Sequence, residues 1–264
     1  MDEHTFDQLQ ILRPKFLSGY KEGLVIDLSK AFSDLPFTHQ LSTETFSFYT
    51  SVAAAYSSMI EGEKIEVDSY LKSQMKPGVF KKNYTKKTDD LLVAYQFAEQ
   101  AKLNFENLLK AHSLLSANFL RKVARGRIRT GMEFILDKDD KIVYVAAHPN
   151  IVRAETNKLF ADIDLLLEID LTIQESFYFA AMIQLVFLKI HPFEDGNGRA
   201  ARLLEKWFLS EKLGQKAWNI QSEKYYYNNL QAYYKNLHIG IDYENLDYNK
   251  CLSLLYMLSE SLNN

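Results

Sequence analysis

The chain holds a single cysteine, Cys251, in 264 residues. An intramolecular disulfide is excluded, and a cysteine-built zinc site lacks its ligands. Cys251 reads as a small apolar residue near a helix end. Proline and glycine are also scarce, 5 and 10 residues. So few breakers argue against the many tight turns of a β-sandwich or barrel and in favour of long helices. Positive charge is not in excess: 31 Lys and Arg face 34 Asp and Glu, a net charge of −3. The chain as a whole is therefore no basic nucleic-acid binder. The start, Met1-Asp2-Glu3-His4, is acidic and polar, unlike a secretory signal. The longest apolar stretch, 177–190, contains Gln184 and falls short of the ~20 residues of a membrane span. These absences lead to the expectation of a soluble, cytoplasmic protein with no membrane partner. What is present is an ordinary globular mixture, 47% hydrophobic and 25% charged, which excludes global disorder.

Hydrophobic periodicity predicts a mostly helical chain. Residues up to about 37 read as an irregular or lightly helical arm punctuated by Pro14 and Pro36. From Ser42 or Thr43 a helix is predicted to 61, carrying Phe46, Tyr49, Val52, Ala53, Tyr56 and Ile60 at three-to-four spacing and ended by Gly62. A shorter helix is predicted at 66–74, stopped by Lys76-Pro77-Gly78. Thr88-Asp89-Asp90 reads as a helix start, with periodicity through Leu103 and again over 108–119. The texture then changes. Two apolar runs, 132–136 and 142–146, flank the polar turn Asp137-Lys138-Asp139-Asp140, which predicts a β-hairpin. Helices are predicted from Pro149 to about 168, over 171–190, and near 198–212, 222–239 and 243–262. The expected domain is mostly helical with an N-terminal helical extension.

The chemistry concentrates in His191-Pro192-Phe193-Glu194-Asp195-Gly196-Asn197-Gly198-Arg199-Ala200-Ala201-Arg202. Pro192 ends the preceding helix near His191. Gly196 and Gly198 let the backbone turn tightly and approach a ligand. The amides of a loop opening a helix form an anion site. Arg199 and Arg202 flank it and suit a polyphosphate. Asp195 is a hard-oxygen ligand placed where a Mg²⁺ bridging phosphates would sit, with Mn²⁺ an alternative. His191 is the side chain able to accept a proton near neutral pH. Each residue alone has an ordinary structural explanation, but a base, a carboxylate, two glycines and two arginines share twelve positions. No Gly-Lys-Ser/Thr follows the glycines, so this is not a P-loop.

The stretch resembles the signature of the Fic family, H-P-F-x-[D/E]-G-N-G-R-x-x-R, at every defined position. The resemblance implies an all-α Fic-type helical bundle with a small β-hairpin flap. It divides the chain into an N-terminal helical region, 1–103, and a catalytic core, 104–264, with the flap at about 130–147. The implied reaction is transfer of AMP from ATP to a Ser, Thr or Tyr hydroxyl of a protein, releasing pyrophosphate. His191 would be the base, Phe193 a buried anchor and Asp195 the Mg²⁺ ligand. Gly196, Asn197 and Gly198 would line the anion hole. Arg199 would contact the phosphates and Arg202 the γ-phosphate. Thr130, Gly131, Met132, Glu133 and Phe134 would belong to the flap, which pairs with an extended segment of the target protein. The Tyr-rich helix carrying Asn229, Tyr233 and Tyr234 resembles the family's nucleotide-proximal helix.

A second motif lies upstream. Glu61 ends the predicted 42–61 helix, where an anionic side chain opposes the helix dipole and calls for a partner. Ser57, Glu61 and Gly62 match the family's inhibitory motif, [S/T]-x-x-x-E-[G/N], which implies that Glu61 pairs with Arg202 and blocks the γ-phosphate site. The implied protein is an autoinhibited adenylyltransferase acting on an unknown protein and on itself, with homodimerisation a further possibility of the family. Fewer than thirty residues follow Ile239, too few for a winged helix, so no DNA partner is expected. Removal of AMP, transfer of another phospho-group such as phosphocholine, and a non-catalytic interaction module are the open alternatives. Gly198 counts against the phosphorylating branch, which usually has Lys there.

Overall fold

The computed structural model describes residues 6–36, 47–75, 86–137 and 139–263. Among these residues there are twelve α-helices and a single two-stranded sheet. The protein is all-α in class, as its sequence predicts. The predicted helix residues 42–46, the stop at Lys76-Pro77-Gly78 and Lys138 lie outside the described residues.

The organising element is α8 (Ile173–Ile190). Its start is fixed by a capping box in which Thr172 and Glu175 exchange side chain and backbone hydrogen bonds. By length and composition alone this helix could cross a membrane. It is apolar all round because it is enclosed: α7 (Pro149–Glu168), α9 (Asn197–Leu213) and α12 (Leu252–Glu260) pack around it. Phe177, Phe179, Met182, Leu185 and Phe187 are fully buried.

The arm at 6–36 is more ordered than its sequence suggests. It forms α1 (Leu17–Gly23) and α2 (Leu28–Ser33), and its backbone is tied to the core by one carboxylate. Asp162 of α7 accepts hydrogen bonds from the main-chain N–H of Gln10 (2.7 Å), Ile11 (2.9 Å) and Leu12 (2.8 Å). Such a clamp links positions about 150 apart in the chain, so no local pattern announces it. Replacing Asp162 with Ala strands three donors, at about 1–3 kcal/mol for each buried group left unpaired. Asp162→Ala is therefore expected to lower the unfolding free energy by at least about 2 kcal/mol in urea titrations. An unchanged midpoint would contradict this reading of the arm.

The candidate inhibitory helix is α3 (Phe48–Ile60). It ends in a Schellman arrangement: Gly62 takes φ +87°, its N–H meets Met59 O (3.0 Å), and Glu63 N–H meets Ser58 O (3.1 Å). Next come α4 (Val67–Met75), α5 (Lys86–Gln100) and α6 (Phe105–Leu115). The helix predicted over 108–119 thus stops four residues early. Ser116 donates through its hydroxyl to His112 O (2.6 Å), and the chain turns there.

Two further predicted helices are cut. The one expected over 222–239 is α10 (Ser222–Asn228) and α11 (Leu230–Leu237). Asn229 separates them, and its side-chain amide and its main-chain N–H both donate to Tyr225 O. The one expected over 243–262 starts only at Leu252, because residues 241–243 pair with the sheet instead.

Candidate active site

The twelve-residue motif forms the turn between α8 and α9. Helix α8 ends at Ile190, and His191 takes the left-handed conformation (φ 55°, ψ 62°) as its C-cap. Such a backbone is uncommon outside glycine. It is followed by Pro192, which disfavours continuation of the helix. Gly196 is the N-cap of α9 at φ +84°, so both ends of the loop rest on left-handed residues. The first N–H groups of α9 have no acceptor within the helix and point toward the loop.

Phe193 is fully buried, its ring stacked on His112 with centroids 3.6 Å apart. Asn197 holds the loop to itself: its side-chain oxygen accepts from Phe193 N–H and its amide donates to Phe193 O, both at 2.8 Å. The resemblance places Asn197 in the anion hole. Its side chain is committed to the loop, and its backbone N–H is among the first of α9.

His112 was not singled out by its sequence. Its Nδ1 accepts from Gly126 N–H (2.9 Å). The neutral ring then carries its proton on Nε2, which donates to Asp195 O (2.9 Å). Burial pushes its pKa down to about 4. Between pH 6.5 and 4 the unfolded chain takes up a proton that the folded chain refuses, so the linked stability falls as pH falls through that window. His112→Phe keeps the ring stack and orphans two buried groups. It is expected to cost about 1–3 kcal/mol at pH 7 and to flatten this part of the melting-temperature profile. A profile as steep as wild type between pH 6.5 and 4 would count against it.

The two arginines differ in their surroundings. Arg202 is 1% exposed. Its Nε donates to Ser57 Oγ (2.9 Å), and its Nη2 donates to Ser57 O (3.0 Å) and Glu61 Oε1 (2.7 Å). Burial works against both charges. The Arg202 and Arg199 guanidiniums nonetheless hold the Glu61 carboxyl below its usual range, and Glu61 in turn raises Arg202. A β-carbon at Gly198 would lie 2.2 Å from Glu61 Oε1, so the bare backbone of this glycine is what lets the carboxylate settle at the start of α9. The helix is held over the loop by Tyr234 as well, whose hydroxyl donates to Ile60 O (2.8 Å).

Arg199 is 5% exposed, yet its Nε and Nη1 have no hydrogen-bond partner. Its guanidinium lies 4.1 Å from the centre of the Phe119 ring, a support that the sequence pattern did not reveal. Asp195 sits at the mouth, its side chain 55% exposed and 4.0 Å from Arg199. Among the described residues no cluster of three or more His, Cys, Asp or Glu is placed to hold a metal. His191 Nδ1 lies 3.2 Å from Leu188 O, which can only accept. Its Nε2 is left as the proton acceptor. Burial pushes this imidazole down to about 4, so it is neutral at pH 7.

Residues 130–133 lead into the sheet. Thr130 is exposed, Glu133 O accepts from Ala146 N–H (3.1 Å), and Phe134 starts β1 (Phe134–Leu136). β1 pairs antiparallel with β2 (Ile142–Val145), with a bulge between Ile135 and Leu136. The outer edge of β2 is already taken by Val145 hydrogen bonds to Ile241 O and Tyr243 N–H. The open edge therefore belongs to β1. Met132 and Phe134 are 41% and 44% exposed there.

The Tyr-rich segment departs most from expectation. Tyr233 is 1% exposed and stacks on Tyr226 at 4.6 Å, so it is packed in the core beside Arg202. The exposed neighbour is Tyr234. The Asn229 side chain serves the break between α10 and α11, as described above.

Residues 102–209 match the model of the Fic/DOC family. Three solved structures share the fold. A Fic family protein from Desulfovibrio desulfuricans G20 is 16% identical with a TM-score of 0.73, covering 97% of this chain and 75% of that one. A Fic domain containing signaling protein from Bacteroides thetaiotaomicron is 18% identical with a TM-score of 0.61, over 98% and 92%. Fic-1 (residues 134–508) from C. elegans is 17% identical with a TM-score of 0.63, over 94% and 68%. No curated protein matches the chain significantly.

Proposed function

This chain belongs to the Fic/DOC family through its residues 102–209, and on that premise we propose that it is an autoinhibited protein adenylyltransferase. The observation that supports the reading is the Glu61–Arg202 pair beside the start of α9: one of the protein's own carboxylates lies 2.7 Å from the guanidinium that the resemblance assigns to the γ-phosphate. Arg199 supports the same reading, because a buried guanidinium with two orphaned donors calls for an anion. A polyphosphate satisfies both arginines and the first N–H groups of α9.

The ATP phosphates are the substrate this cradle fits, with Mg²⁺ as the accompanying ion. Asp195 offers one half-exposed carboxylate, which suits an ion that takes most of its ligands from phosphates and water. Bound there, Mg²⁺ supplies neutralisation of phosphate charge. The protein's own part is positioning and proton transfer. His191 Nε2 takes the proton of the target hydroxyl. The hydroxyl oxygen forms a bond to the α-phosphorus, the bond from that phosphorus to the β-bridging oxygen breaks, and pyrophosphate leaves. The target segment lies along the open edge of β1, where main-chain pairing aligns a hydroxyl without strict sequence demands.

Mass spectrometry of the Glu61→Gly protein after incubation with MgATP and host lysate tests this reading. Adenylate on a Ser, Thr or Tyr side chain is the expected adduct. Phosphate or another group in its place would overturn the assignment.

A further inference from the structure

Arg129 sits where the last turn of α8 meets both legs of the flap. It is 6% exposed. Its Nε donates to His191 O (2.7 Å) and its Nη2 to Ile190 O (3.3 Å). These are carbonyls at a helix C-terminus, which lack partners within the helix and favour a cation. The same guanidinium reaches the flap on each side: Nη1 donates to Gly131 O and Nη2 to Ala147 O, both at 2.5 Å. Its main-chain N–H donates to Pro192 O (2.9 Å). Gly131 lies just before β1 and Ala147 just after β2. One side chain therefore spans the entry to the flap, its exit, and the turn that bears His191.

We propose that Arg129 is a positioning residue that sets the register between the flap and the His191 imidazole, and so between a docked target hydroxyl and its base. This rests on the adenylyltransferase reading above. The division of labour is visible in the hydrogen bonds. The His191 ring is oriented by Leu188 O and its main-chain N–H is held by Phe187 O, while Arg129 reaches His191 only through its backbone carbonyl. The legs of the flap are what Arg129 fixes. Loss of the clamp leaves the base in place and loosens the ledge on which the substrate lies. Lysine cannot replace it, because a single ammonium has no planar fork to reach four carbonyls at three separated places.

Transfer to a protein uses the flap, whereas transfer to water, in which ATP and water give AMP and pyrophosphate, does not. In the Glu61→Gly chain, Arg129→Lys is expected to lower AMP transfer to protein by about tenfold or more, towards the roughly 10²-fold cost of a misplacement near 1 Å. ATP hydrolysis is expected to stay within about twofold. Amide hydrogen exchange at β1 and β2 is expected to speed up while α8 keeps its protection. The exchange readout judges Arg129 even in a chain that transfers nothing, so failure of the adenylyltransferase reading is separately recognisable. Flap amides exchanging at the parental rate would overturn the proposal. So would a parallel fall of transfer and hydrolysis. Loss of folded circular dichroism in both Arg129→Lys and Arg129→Gln would assign the residue to core stability and overturn it as well.

Discussion

Glu61→Gly is expected to raise AMP incorporation by roughly a hundredfold over the unaltered chain at limiting ATP. The magnitude follows from the contact that is removed. ATP entering the cradle must first displace a carboxylate held at 2.7 Å by a guanidinium that is 1% exposed. A hydrogen bond between charged groups is worth about 1.5–3 kcal/mol, and each 1.4 kcal/mol is a factor of ten in occupancy. The upper end of that range gives the hundredfold. The fold survives the change for a reason in the same geometry. Arg202 keeps two hydrogen bonds to Ser57, and the end of α3 keeps its Schellman turn and the Tyr234 hydroxyl. Melting temperature close to wild type, together with incorporation of labelled AMP, checks both halves. Equal labelling of the two chains would remove Glu61 from any inhibitory role.

His191→Ala in the Glu61→Gly background is then expected to lower transfer by about 10²–10⁴-fold, the usual contribution of a positioned base. This effect lies in the chemical step. The Arg199 and Arg202 side chains and the α9 amides are untouched, so calorimetry is expected to return an unchanged affinity for MgATP while incorporation is lost. The lowered pKa of the half-buried imidazole also predicts a pH profile. Because burial holds His191 at about 4, the base is neutral across pH 6–8, and transfer should not fall along a curve centred near 6.5. Weaker MgATP binding in the alanine variant would mean that His191 shapes the cradle, contrary to its assigned role.

How much of this was legible in the sequence depends on how far apart the interacting residues lie. The motif at 191–202 is local. A proline, two glycines and the residues between them force the turn, and the structure places His191, Asp195, Arg199 and Arg202 around it. Glu61 was legible for a different reason: an acidic residue at a helix C-terminus is locally unfavourable, and that cost pointed to a partner elsewhere. His112 and Arg129 gave no such sign. A histidine inside an amphipathic helix and an arginine in a loop are locally unremarkable. Their roles arise from contacts to residues 83 and 62 positions away. Periodicity predicts Phe119 as the end of a helix, yet it backs Arg199 because α6 stops at Leu115. Periodicity also ran past two breaks, at Asn229 and before Leu252, since a side-chain amide competing for a carbonyl and a segment recruited by β2 leave the hydrophobic spacing unchanged. For Tyr233, spacing could not say which tyrosine of an adjacent pair is buried.

The central claim is that the group transferred is the adenylate and not the terminal phosphate. Incubating the Glu61→Gly protein in parallel with ATP labelled at the α-phosphorus and at the γ-phosphorus, and counting protein-bound label, tests it most directly. The account predicts label from the α-position alone, and label arriving from the γ-position would contradict it.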